Sequence, residues 1–146
     1  MHYIICGFSG VGKSTAEQKA KNVIDFESSG YSHDWEKGVV NNNFPKNYID
    51  AVVEHINNHH NCIYLLSCHE EVRRELKDRG FEYIVVMPTY WQRNEYVKRW
   101  LRRGSSVEFV RSMYDRWKEM IKSCEDDSSP KIYLDENEYI FDVLPR

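Results

Sequence analysis

Lys13 and Ser14 are the residues with the clearest chemical meaning in this 146-residue chain. They close the run Gly7-Phe8-Ser9-Gly10-Val11-Gly12-Lys13-Ser14, which satisfies GxxxxGK[ST]. Glycine permits tight backbone turns that bring successive N–H groups onto phosphate oxygens. The lysine reaches the outer phosphates, and the serine hydroxyl suits Mg²⁺. An apolar run, Tyr3-Ile4-Ile5-Cys6, precedes the loop and a helical stretch follows it, which is the context that gives the pattern its meaning. The expected nucleotide-holding set is Gly7, Ser9, Gly10, Val11, Gly12, Lys13, Ser14 and Thr15. A nucleoside triphosphate, ATP, is the expected ligand.

Carboxylates form the second group. Val23-Ile24-Asp25-Phe26-Glu27 alternates apolar with acidic residues, as a strand with Asp25 and Glu27 on one side would. In a parallel sheet the carboxyl ends of strands line the ligand crevice, so the pair falls beside the glycine loop. The third strand ends in Ser67-Cys68-His69 and has no Asp there. Asp25 is therefore the expected carboxylate partner of Ser14 for Mg²⁺. His69 faces the crevice, with a phosphate or sugar contact and a structural hydrogen bond as equal alternatives. His55 and His59 stand four apart on a helix, but no acidic partner completes a zinc motif.

The third group is cationic. Between Tyr90 and Lys118 stand Arg93, Lys98, Arg99, Arg102, Arg103, Arg111, Arg116 and Lys118 against only Glu95, Glu108 and Asp115. Phosphoryl transfer needs cations over the phosphate whose charge spreads in the transition state. A mobile helical lid over about 90–118 would supply them, with Arg99 and Arg103 closing on the transferring group beside the catalytic Lys13 and Asp25.

These residues must be carried by alternating strands and helices. A short helix is expected from Gly12 to about Asn22, followed by the strand Val23–Glu27. Ser32–Lys46, with Trp35, has no clear period and is expected to be loop, part of an acceptor site. Asn47 is placed as the cap of a helix over 48–58, where Ile49, Val52, Val53 and Ile56 make one apolar face. Cys62–Leu66 reads as the third strand, Glu70–Arg79 as a helix, Tyr83–Pro88 as the fourth strand and Lys131–Leu134 as the fifth. Gly104-Ser105-Ser106 splits the cationic segment into two helices, the second with Val110, Met113, Trp117 and Ile121 inward. The loop before a last helical turn at 139–141 is placed against the adenine base.

A net charge of −3 argues against a general electrostatic nucleic-acid binder. No apolar run approaches the ~20 residues of a membrane span, and there is no room for a signal peptide before the first strand. Cys6, Cys62, Cys68 and Cys124 show no CxxC and no metal spacing. The expectation is one soluble, cytoplasmic domain over 1–146, with a small-molecule acceptor and no membrane partner.

Taken as an ordered set, these segments resemble the nucleoside monophosphate kinase-like group of P-loop proteins over essentially the whole chain. More narrowly, the glycine loop, Asp25-Phe26-Glu27-Ser28-Ser29, Asn43-Phe44-Pro45-Lys46-Asn47-Tyr48, Ser67-Cys68-His69 and Arg99…Arg103-Gly104 look like small phage-type nucleotide kinases. The resemblance implies a three-layer α/β fold with a five-stranded parallel sheet in the order 2-3-1-4-5 and a helical, arginine-rich lid. It implies ATP and Mg²⁺, the latter on Ser14 and Asp25, and a (deoxy)nucleoside monophosphate acceptor. Asp25, Glu27, Ser28, Tyr31 and His69 are then placed at the acceptor, with Arg73 on its phosphate. Asp25 and Glu27 also resemble the acidic pair of shikimate and gluconate kinases, which contacts Mg²⁺ and an acceptor hydroxyl. Two features depart from the larger monophosphate kinases: the helical acceptor insert is absent or reduced, and no DGxPR-type sequence occurs. A kinase for a hydroxyl acceptor, on a metabolite or a nucleic acid, and a non-catalytic nucleotide switch therefore stay open as alternatives.

Overall fold

A computed structural model describes residues 3–34 and 37–145. Trp35, placed above in the loop, lies outside the described residues. The strands are β1 (Tyr3–Gly7), β2 (Val23–Phe26), β3 (His33–Asp34), β4 (Val39–Val40), β5 (Ile63–Ser67), β6 (Ile84–Pro88) and β7 (Lys131–Leu134). The helices are α1 (Lys13–Lys19), α2 (Ser29–Ser32), α3 (Lys46–Asn58), α4 (Glu70–Asp78), α5 (Arg93–Arg102), α6 (Val107–Asp115), α7 (Trp117–Glu125) and α8 (Ile140–Val143). A 3-10 turn, Tyr90–Gln92, leads into α5.

Five strands form one sheet in the order β2-β5-β1-β6-β7, and every neighbouring pair is parallel. Counted over these five alone, the order is 2-3-1-4-5, as the resemblance implies. Successive residues of a strand point to opposite faces, so consecutive buried residues mean that both faces are covered. Ile4 to Cys6, Ile63 to Leu66 and Val85 to Met87 are all buried. The sheet is the middle of three layers. Register brings Gly7 of β1 level with Ser67 of β5, while Phe26 of β2 lies level with Leu66. Three strand ends thus converge, and the loops after them share one edge.

Several bounds differ from the sequence expectation. Helix α1 stops at Lys19 because Ala20 is already extended, so it is shorter than expected. Helix α3 starts at Lys46 with Pro45 as its N-cap, not Asn47. The Asn47 side chain donates instead to the Tyr31 carbonyl at 2.9 Å. The stretch 32–46 is not all loop, for β3 and β4 pair as a two-residue antiparallel hairpin. Strands that short are below what periodicity resolves.

The largest correction concerns the cationic segment. Helix α5 is part of the core, because Tyr96 and Trp100 are fully buried one turn apart and Arg99 is only 5% exposed between them. With Phe8 and Trp117 these rings form an edge-to-face cluster, centroids 5.4–6.3 Å apart. Gly104, at φ +89°, ends α5, and Ser106 caps α6 by accepting from the Phe109 amide at 3.1 Å. Val110, Met113, Trp117 and Ile121 are buried as expected, but a break at Arg116 divides them between α6 and α7. Residues 101–104 and 106–109 are exposed at the turn between α5 and α6. No helix among the described residues is long and apolar enough to cross a membrane.

Away from the sheet edge, Asp127 ties α4, α7 and β6 together. Its carboxylate accepts from Arg73 Nη1 at 2.9 Å, Lys77 Nζ at 2.9 Å, the Tyr83 hydroxyl at 2.6 Å and the Ser129 amide at 2.8 Å. Burial alone would push its pKa up, but the bonds from Tyr83, Lys77, Ser129 and Arg73 outweigh it and hold the group well below the usual carboxylate range. A depressed folded pKa stabilises above the unfolded value of about 3.9 and is lost as pH falls below it. Asp127→Ala would leave Arg73 buried without its charge partner, at a cost of about 3–5 kcal/mol. Denaturant unfolding at neutral pH and near pH 3 should find Asp127→Asn less stable than wild type at neutral pH. The gap should narrow in acid.

Candidate functional site

The glycine loop between β1 and α1 is held from behind at every carbonyl. Gly7 O accepts from Lys13 Nζ at 2.8 Å, and Phe8 O from the Val11 amide at 3.2 Å. Ser9 O accepts from Trp100 Nε1 at 3.2 Å, and Gly10 O from Arg99 Nη1 at 3.1 Å. Val11 O accepts from the Ile140 amide at 2.8 Å and Gly12 O from the Ala16 amide at 3.0 Å. With its negative ends satisfied inside the protein, the loop turns its free amides and the first turn of α1 toward solvent.

Two of the glycines are required by this embrace. Gly10 and Gly12 have φ of +96° and +93°, in the left-handed region. A Cβ on Gly12 would meet Tyr139 Cδ1 at 2.9 Å, and one on Gly10 would meet Trp100 Nε1 at 3.0 Å. The loop is thus wedged between α5 and the segment before α8.

In front of the loop lies a cavity of about 800 Å³. Gly7, Ser9, Gly10, Gly12, Lys13, Ser14 and Thr15 all line it. Val11 does not. Its side chain is fully buried and its amide and carbonyl are both taken, so it serves the loop's support. From the neighbouring strand ends come Asp25, Glu27 and Ser28 on one side and Ser67, Cys68 and His69 on the other. Burial lowers the Lys13 pKa and the charge of Asp25 acts against that; burial raises the Asp25 pKa and Lys13 acts against it. The two groups therefore face one another within electrostatic reach.

Asp25 Oδ1 and Ser67 Oγ are the two buried side-chain polar atoms without a hydrogen-bond partner among the described residues. An orphaned buried oxygen costs about 1–3 kcal/mol unless something comes to meet it. Both belong to the cavity, and the exposed Ser14 lines it too. Three oxygen donors, one anionic, suit a hard divalent cation such as Mg²⁺.

Three predicted residues stand differently from the expectation. Tyr31 does not line the cavity, for its ring packs against Phe26 and Tyr48 at centroid distances of 6.3 and 5.4 Å. Arg73 lines the cavity, but Nε donates to the Cys68 carbonyl, Nη1 to Asp127 and the Ser123 carbonyl, and Nη2 to Ser123 Oγ. That leaves it a wall brace, not an anchor for an acceptor phosphate. Arg99 is fixed by Glu95 Oε2 at 2.5 Å, by Glu138 O at 2.7 Å and by Gly10 O, between the rings of Tyr96 and Tyr139 at 4.4 and 4.0 Å. In this posture it clamps the loop from behind and does not reach over the cavity's phosphate side. Arg103 alone matches the expected posture: it is exposed, and Nη2 donates to Ser9 Oγ at 3.0 Å.

His69 lines the cavity, and burial lowers its pKa. The far wall was not foreseen. Met113, Arg116, Glu119, Met120 and Ser123 come from α6 and α7, and Tyr139 stands over Gly12. Their spacing of three and four marks one helical stripe beside the apolar one, a signal too common to name a site. The loop before α8 packs on the glycine loop, with Tyr139 stacked on Arg99 and the Ile140 amide on the Val11 carbonyl.

No protein-family model and no curated protein matches the chain. Solved structures do resemble it. The tunicamycin resistance protein of Deinococcus radiodurans superposes with a TM-score of 0.62 at 15% identity, over 97% of this chain and 90% of that one. A gluconokinase from Sinorhizobium meliloti 1021 gives 0.54 at 12% identity, over 94% and 83%. The chain therefore has the α/β fold of P-loop kinases.

The two arginines separate in one experiment. Arg99→Ala should lower the melting temperature and weaken ATP binding together, because the loop loses its clamp. Arg103→Ala should leave the melting temperature unchanged and act only on ligand binding or turnover. Thermal unfolding with and without ATP reads both.

Proposed function

We propose that this chain is an ATP-dependent phosphotransferase that moves the γ-phosphoryl group to a hydroxyl of a small acceptor. The carrying observation is the cavity's pairing of a pre-set anion loop bearing Lys13 with Asp25, whose buried Oδ1 has no hydrogen-bond partner among the described residues. The two kinase-fold structures are consistent with that activity, one being a gluconokinase.

In this reading the loop amides hold the β- and γ-phosphates, and Lys13, whose Nζ donates to the Gly7 carbonyl at 2.8 Å, brings its charge to them. Ser14 and Asp25 would hold Mg²⁺, which when bound neutralises phosphate charge and orients the transferring group. Arg103, on the exposed turn above Ser9, supplies a positive charge where negative charge grows. Glu27 and Ser28 line the acceptor side, and a carboxylate there is placed to take the proton from an attacking hydroxyl. His69, neutral because burial disfavours its charged form, offers a hydrogen bond without adding charge.

A hydroxyl acceptor fits better than a nucleoside monophosphate, the acceptor the resemblance implies. A phosphate acceptor arrives as an anion and needs cations, whereas Arg73 is already bound to Asp127 and Ser123. Asp25, Glu27, Glu70, Glu71 and Glu119 all line the same cavity. The monophosphate reading keeps one support: Arg102 and Arg116 line the cavity and no described carboxylate pairs with them.

ATP turnover with Mg²⁺ should be measured against polyols, sugar acids, nucleosides and nucleoside monophosphates side by side. A phosphorylated product from a hydroxyl compound is expected, and Lys13→Ala should remove turnover by at least a hundredfold. The diphosphate of the added monophosphate, formed beside ADP and with no hydroxyl compound phosphorylated, would instead establish the monophosphate reading. ATP bound but never transferred would count against both.

A further inference from the structure

Two cysteines meet in the cavity wall. Cys68 follows β5 and Cys124 lies in α7, 56 residues later, yet their Sγ atoms are 3.4 Å apart. Both are free thiols and both line the cavity. The remaining two, Cys6 and Cys62, are buried in or beside strands and do not line it. A small oxidant in the cavity therefore meets the one pair and not the others.

The pair is also held in place. Arg73 donates to the Cys68 carbonyl and to the Ser123 carbonyl, each at 3.2 Å, bracketing the backbone that carries both thiols. The contact with Cys68 and the charge of Arg73 lower the Cys124 pKa, which marks Cys124 as the attacking sulfur. A disulfide needs an Sγ–Sγ distance of about 2.05 Å, so closure asks for a shift of roughly 1.3 Å.

We propose that Cys68 and Cys124 are a reversible modification site, closing to a disulfide in the cavity wall when a peroxide enters. The Cys124 thiolate attacks one peroxide oxygen and the O–O bond breaks, giving a sulfenic acid and, with one proton, a first water. The Cys68 sulfur, losing its proton, attacks the Cys124 sulfur and displaces hydroxide, which leaves as a second water. Two thiols are oxidised by two electrons, and one hydrogen peroxide is reduced to two waters. The bridge ties the end of β5, with Ser67 and His69, to α7, with Met120 and Ser123. Drawing α7 inward narrows the acceptor side of the cavity and fixes a wall that a bound acceptor must fit. That last consequence rests on the phosphotransferase reading; the chemistry of the bridge does not.

The test treats the reduced full chain with hydrogen peroxide near equimolar ratio. Intact mass should fall by two hydrogens, titratable thiols from four to two, and peptide mapping should join Cys68 to Cys124. Dithiothreitol should reverse all three. Cys68→Ser should lose the response and Cys62→Ser keep it, each checked for its fold by circular dichroism. Four thiols surviving in wild type, or a bridge through Cys6 or Cys62, would overturn the proposal. So would Cys124 stopping at a sulfinic acid with Cys68 free. ATP turnover on the acceptor found active should fall several-fold in the oxidised protein and return with reductant. Equal turnover in both states would overturn the gating, and no turnover in either, with the bridge formed, would count against the phosphotransferase reading alone.

Discussion

Everything at this site depends on six carbonyls being satisfied from inside the molecule. A loop that offers its amides to an anion must first dispose of the opposite ends of the same peptides. Here Lys13, Val11, Trp100, Arg99, Ile140 and Ala16 do so for residues 7 to 12 in turn. Three of these donors lie within the loop and α1, two on α5 and one on α8. An unpaired carbonyl facing a phosphate would repel it in a poorly screened cavity, so the donors matter as much to binding as the amides in front.

That constraint explains the behaviour of α5. A helix that must present Trp100 Nε1 and Arg99 to the loop cannot also be a flap, and its burial follows from the same residues. Tyr96 and Trp100 bring the helix onto Phe8 and Trp117, and Arg99 is stacked between Tyr96 and Tyr139. The turn at 102–107 is largely exposed, and from it Arg103 reaches Ser9 from outside. Arg73 makes the same point on the other wall, where a guanidinium with four donated bonds braces the wall and is not free to serve a ligand.

Charge is distributed unevenly around the cavity. Cations cluster where the phosphates would lie, at Lys13, Arg102 and Arg103, and carboxylates gather at the strand ends and at the first turns of α4 and α7. Carboxylates in a first turn also answer the helix dipole, which suffices to explain Glu70, Glu71 and Glu119 structurally. Asp25 is different, because it is half-buried and its buried Oδ1 lacks a partner among the described residues.

By itself the sequence determined the glycine loop, the five strands and the acidic strand end at Asp25 and Glu27, while the strand order entered only with the resemblance. Those features are local. A loop motif is contiguous, and runs such as Ile63–Leu66 declare a doubly covered strand without reference to anything distant. Tertiary structure alone decided which arginine does what. Arg73, Arg99 and Arg103 look alike in sequence, and their roles differ only through Asp127, Gly10 and Ser9, which lie 54, 89 and 94 residues away. It also decided that Tyr31 faces Tyr48 and that Cys68 meets Cys124. A side chain's partners are set by where the sheet order brings distant elements together, and no periodicity in a single segment carries that information.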